Sequence, residues 1–69
     1  MKREQFLSHL RRYCRKTGLT MVVDEKRGKG SHMGIMVGAR RTIVPSGELK
    51  PGSIRTILRQ LGLPPDALN

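Results

Sequence analysis

Apolar residues recur at spacings of three and four across Lys2 to Thr17. Phe6, Leu7, Leu10, Tyr13 and Cys14 form one stripe there, while Arg11, Arg12, Arg15 and Lys16 fall mostly elsewhere on the helical wheel. That period predicts an amphipathic helix. Gly18 suits the left-handed residue that closes a helix, and the cationic last turn suits the negative end of the helix dipole. The rhythm then changes. Thr20-Met21-Val22-Val23 is short and rich in β-branched residues, and Asp24 to Gly30 is polar and glycine-rich, so a strand opening into a hairpin is expected, with the next strand starting near Ser31. Along that strand Met33, Ile35 and Val37 share one face, and His32, Gly34 and Met36 share the other.

Gly38-Ala39-Arg40 reads as a tight connection and Arg41-Thr42-Ile43-Val44 as a third strand, which Pro45 ends because proline cannot donate to an interior ladder. The pattern leaves open which face of this strand is buried. Ser46-Gly47 reads as a turn. Pro51 fits the first position of a helix, where its missing N–H costs nothing, and Ile54, Ile57, Leu58 and Leu61 follow at i, i+3, i+4 and i+7. Gly62 and Pro64-Pro65 stop this helix, leaving Asp66 to Asn69 as a tail expected to fray. The order α-β-β-β-α predicts an α+β domain over residues 1–69. Its three-stranded antiparallel sheet should carry both helices on one face and leave the other face open.

Composition narrows the function classes. A chain of 69 residues buries only about 60% of its unfolded surface, so it has little room for an internal cavity, and an extended ligand suits it better than a metabolite. Fourteen Lys and Arg against five Asp and Glu give a net charge of +9, which attracts polyanions and makes nucleic acid the leading partner. A basic structural protein has the same composition. Phe6 and Tyr13 are the whole aromatic complement and both lie on the apolar stripe, so contacts to phosphates rather than base stacking should dominate nucleic-acid binding. One cysteine, no long apolar run near the N-terminus and no stretch of about 20 apolar residues point to a reducing cytoplasm and away from a membrane.

The densest candidate chemistry is Gly28-Lys29-Gly30-Ser31-His32. Glycines let a backbone approach its ligand, lysine supplies a charge for an anion, and an imidazole exchanges protons near cellular pH. Cleaving RNA without a metal requires a base at the ribose 2′-hydroxyl, an acid at the leaving oxygen, and cations for the charged transition state. His32 is the candidate proton carrier. Arg27, Lys29, Ser31, Arg40 and Arg41 are the candidate RNA contacts, the arginines gripping phosphate in two-pronged fashion. The same stretch also reads as a solvated surface turn. Glu4, Asp24, Glu25, Glu48 and Asp66 are scattered, which argues against a metal-dependent nuclease, and one Cys with two His cannot build a closed zinc site. No metal or other cofactor is expected. Cys14 reads as a small core residue and His9 as a solvated side chain.

Several segments in order resemble the HicA toxin family: Arg27-Gly28-Lys29-Gly30-Ser31-His32, Thr42-Ile43-Val44-Pro45, Glu48-Leu49-Lys50-Pro51-Gly52-Ser53-Ile54-Arg55, and Ile57-Leu58-Arg59-Gln60-Leu61-Gly62-Leu63. The resemblance spans nearly the whole chain. It implies a double-stranded-RNA-binding-domain-like fold and an mRNA interferase, an endoribonuclease that cleaves mRNA without a metal. It also implies a bacterial toxin with a HicB-type antitoxin as partner, the catalytic histidine at His32 and a neighbouring basic position at Arg27. Two features depart from the family pattern: Met33-Gly34 follows the histidine, and Ser46-Gly47-Glu48 after Pro45 carries no second histidine, which leaves the proton donor to the leaving group unassigned. A non-catalytic RNA-binding module and a protein whose open sheet face serves only another subunit remain the alternatives.

Overall fold

The computed structural model describes residues 1–24 and 32–68. The first helix, α1, runs Arg3–Thr17 and buries Phe6, Leu10 and Cys14. The Lys2 amide, one of the donors that a helix start leaves without an intrahelical acceptor, donates to Gln5 Oε1 at 3.1 Å. The start of α1 is also tied to a distant loop. The Arg3 amide donates to the Gly47 carbonyl at 3.1 Å, the Leu49 amide to the Met1 carbonyl at 2.7 Å, and the terminal ammonium pairs with the Glu48 carboxylate.

Three strands follow: β1 (Met21–Asp24), β2 (Met33–Val37) and β3 (Arg40–Val44), hydrogen-bonded antiparallel in the order β1-β2-β3. The last element, α2, spans Pro51–Gln60 with Pro51 in its first turn. The predicted order and the antiparallel sheet are therefore what the chain forms. The expected glycine-rich hairpin, with Arg27, Lys29 and Ser31, lies outside the described residues except for Asp24, which belongs to β1.

Both helices end on glycine. Gly18 and Gly62 hold φ of 78° and 72°, and the next residue in each case reaches back five positions, Leu19 N–H to the Cys14 carbonyl at 2.8 Å and Leu63 N–H to the Leu58 carbonyl at 2.9 Å. These are Schellman closures, which satisfy carbonyls that the helix leaves unpaired. Between β2 and β3 the loop is only Gly38-Ala39, with φ of 60° at Gly38 and no positive φ at Ala39, the pattern of a II′ hairpin. So short a loop brings Arg40 into the strand, opposite Val37.

Phe6, Leu10, Cys14, Ile35, Val37, Val44, Leu49, Ile57, Leu58, Leu61 and Ala67 form one core, which places both helices on the face of the sheet that carries Ile35, Val37 and Val44. The face left open for β3 by its sequence is now decided. Thr42 and Val44 turn toward the helices, with the Thr42 hydroxyl donating to Gln60 Oε1, and Ile43 turns outward at 52% exposure. Hairpin register, rather than the apolar pattern of β3, makes this choice, since Ile43 and Val44 are equally apolar neighbours.

Two expectations are corrected. The tail does not fray through its length: Ala67 is 3% exposed within the core, Leu68 packs against that core, and the Ala67 amide donates to the Pro64 carbonyl at 3.1 Å. His9 is half-buried rather than solvated, its Nδ1 3.4 Å from the Leu68 carbonyl, a hydrogen bond in the tautomer protonated there. A two-residue apolar pair is too short to show a period, so nothing in the pattern announced that the tail returns to α1.

Cys14 is 2% exposed, and burial pushes its thiol up from the ordinary value. Thiolate is the reactive form. Labelling of native protein with an aromatic disulfide reagent at pH 8 is accordingly expected to proceed only through unfolding, and to accelerate to the rate of a free thiol once urea unfolds the chain.

Candidate nucleic-acid interface

Strand alternation sorts the sheet into two faces, and the pairing register lines up the outward one. Val22, Met36 and Arg41 form one cross-strand row, and Asp24, Gly34 and Ile43 form the next. A shallow groove of about 400 Å³ runs over these residues. Gly34 has no side chain, which lowers the floor of the groove between Asp24 and Ile43. Val22 is 48% exposed, so the floor presents apolar surface between one carboxylate and one guanidinium.

His32 immediately precedes β2 and is exposed. It stands two residues before Gly34, so alternation extends the outward row of β2 to it. In register it lies beyond the Met33–Val44 pair, level with Pro45. The reading of His32 as a surface residue at the mouth of the open face agrees with this placement.

The basic candidates are not all gathered around it. Arg41 shares the outward face but sits opposite Met36, four residues along the strand from His32, or about 13 Å at 3.3 Å per residue. Arg40 lies one position further, opposite Val37, and alternation assigns it to the helix-bearing face. An expected clamp of Arg40 and Arg41 directly beside His32 is thus not what the sheet forms, because β3 runs antiparallel to β2 and its start lies at the far end. Arg27, Lys29 and Ser31 fall outside the described residues.

Two groups escaped the sequence reading. Asp24 reaches the outward face next to Gly34, a position its own alternation with Val22 would have indicated. Arg55 and Arg59, four apart on α2, meet Arg40 around a second groove, closed by Gly62, Leu63 and Pro65. Their i, i+4 spacing was visible; the approach of Arg40 was not.

Comparison of the chain with protein-family models, with curated proteins and with solved structures finds no match. The site therefore has to be judged on its own chemistry. Among the described residues no three His, Cys, Asp or Glu side chains come together as metal ligands, and no helix is long and apolar enough to cross a membrane.

Proposed function

We propose that this chain is a metal-independent endoribonuclease toxin of the HicA type, acting on mRNA and held in check by a HicB-type antitoxin. The observation that carries the reading is the exposed His32 at the end of a sheet face that both helices leave open, in a chain of net charge +9. The sequence resemblance to HicA toxins supports it. An open face admits a polymer without any cavity, and a net positive chain draws that polymer in.

In the proposed reaction neutral His32 takes the proton of a ribose 2′-hydroxyl as that oxygen attacks the adjacent phosphorus. The bond from phosphorus to the 5′-oxygen breaks, water supplies a proton to the departing oxygen, and the products carry a 2′,3′-cyclic phosphate and a 5′-hydroxyl. Lys29 and Arg27, three and five residues before His32, are assigned to the phosphate charge, Ser31 to a phosphate hydrogen bond, and Arg41 to an RNA segment further along the same face. The test is incubation of an RNA transcript with wild type and His32→Ala in EDTA, with end-group analysis of the products. Intact RNA after incubation with wild type, together with retained binding, would replace this reading with the non-catalytic RNA-binding module.

The antitoxin is assigned to the open face, where Val22 and Ile43 expose apolar surface beside the path to His32. Ile43→Asp puts a charge into that contact while leaving the core untouched. It is expected to weaken the complex by at least tenfold in a titration with a HicB-type antitoxin, with the melting temperature little changed.

A further inference from the structure

Arg40, Arg55 and Arg59 converge on one groove at the end of the molecule away from His32. Arg55 and Arg59 project from adjacent turns of α2, four residues apart, so their guanidinium groups are neighbours on the helix surface. Arg40 reaches them from the start of β3. Its side chain lies across Gly62: a Cβ added to that glycine would stand 2.9 Å from Arg40 Nε and 3.0 Å from Cδ. The φ of 72° at Gly62 favours glycine, and the missing side chain leaves room for the exposed end of Arg40 to lie there.

Like charges lining one groove repel one another, and no acidic residue among those lining it offsets the repulsion. Among the described residues none of the three arginines forms an ion pair, and no acidic side chain lines the groove. Among the described residues the groove holds no counter-charge, and a guanidinium group has the fork geometry that grips phosphate oxygens. We infer that Arg40, Arg55 and Arg59 form a phosphate-binding site that holds the backbone of an RNA chain remote from His32. The inference rests on the proposed RNA substrate, though not on cleavage.

The spacing sets the shortest strand that could reach both sites. Five residues at about 3.3 Å each separate His32 from Val37, the register partner of Arg40, so the two sites stand at least roughly 16 Å apart, His32 on the open face and Arg40 on the helix-bearing one. Stacked nucleotides advance about 3.4 Å each, so a strand needs more than about five of them to pass from His32 round the edge strand β3 to the groove. Arg41 faces outward from that same edge strand. A segment bound at both ends gains affinity without any base-specific contact, which matches a chain with no aromatic side chain to spare for stacking.

The test uses full-length protein carrying His32→Ala, so that binding is read without cleavage, and a fluorescent single-stranded RNA of about 12 nucleotides as probe. In this background Arg55→Ala/Arg59→Ala is compared with Arg11→Ala/Arg12→Ala, which removes the same charge from the exposed side of α1. Each phosphate contact contributes about 0.7 to the slope of log affinity against log salt. Losing two contacts should shrink the fall in affinity between 50 and 200 mM salt by about sevenfold for the α2 pair, and by little for the α1 pair. Equal effects of the two double variants would mean diffuse attraction and would overturn the site, as would no effect of the α2 pair. Binding of a poly-glutamate peptide but not of RNA at the groove would overturn it in favour of an acidic protein partner. Because the assay needs no turnover, failure of wild type to cleave RNA leaves this result readable on its own.

Discussion

His32→Ala is expected to lower the rate of RNA cleavage by about 10²- to 10⁴-fold, the range that one positioned proton carrier contributes. Stability should fall by no more than about 1.5 kcal/mol, the net worth of a hydrogen bond at a surface position, because His32 precedes β2 and is exposed. The two readouts separate chemistry from folding: initial rates on a defined RNA oligonucleotide, and urea denaturation followed by circular dichroism. His32→Gln sharpens the result. Glutamine retains hydrogen-bonding capacity but cannot take up a proton in this pH range, so a role in positioning alone would leave much of the rate in place. If the proton transfer is the contribution, His32→Gln falls as far as His32→Ala, and EDTA changes neither. Cleavage that continues undiminished in both variants would remove His32 from the mechanism.

Much of the architecture was legible because two periods carry it. The stripe from Phe6 to Cys14 and the series from Ile54 to Leu61 have helical spacing, and two glycines mark where those helices stop, each with the positive φ its position demands. The alternation of Met33, Ile35 and Val37 against His32, Gly34 and Met36 had already separated the two faces of the sheet. What escaped was set by pairing between distant segments. The outward turn of Ile43 depends on the register imposed by Gly38-Ala39, and the packing of Ala67 and Leu68 depends on a turn at Pro64-Pro65 that no period reveals. At the candidate site, alternation sufficed for His32 and also held the position of Asp24. It could not show that antiparallel pairing carries Arg40 and Arg41 to the opposite end, nor that Arg40 would meet Arg55 and Arg59 there.

The other large effect is expected in the core. Phe6 is fully buried on α1, in the same cluster as Ile35 and Val44 of the sheet and Leu58 of α2. Replacing a buried phenylalanine by alanine costs about 3–5 kcal/mol through lost burial and the cavity left behind. A chain of this length has a total stability of roughly 3–10 kcal/mol, so Phe6→Ala is expected to leave much of the protein unfolded at 37 °C, seen as a melting transition shifted by tens of degrees or absent. Leu10→Met, which nearly conserves volume at an equally buried site, should cost less than about 1.5 kcal/mol. The contrast bears on function as well. Phe6→Ala should lose cleavage and RNA binding together, in proportion to the unfolded fraction, and recover both on cooling. His32→Ala should lose cleavage alone at every temperature, because the helices and the core under the sheet hold the open face in place while only the side chain at its mouth exchanges the proton.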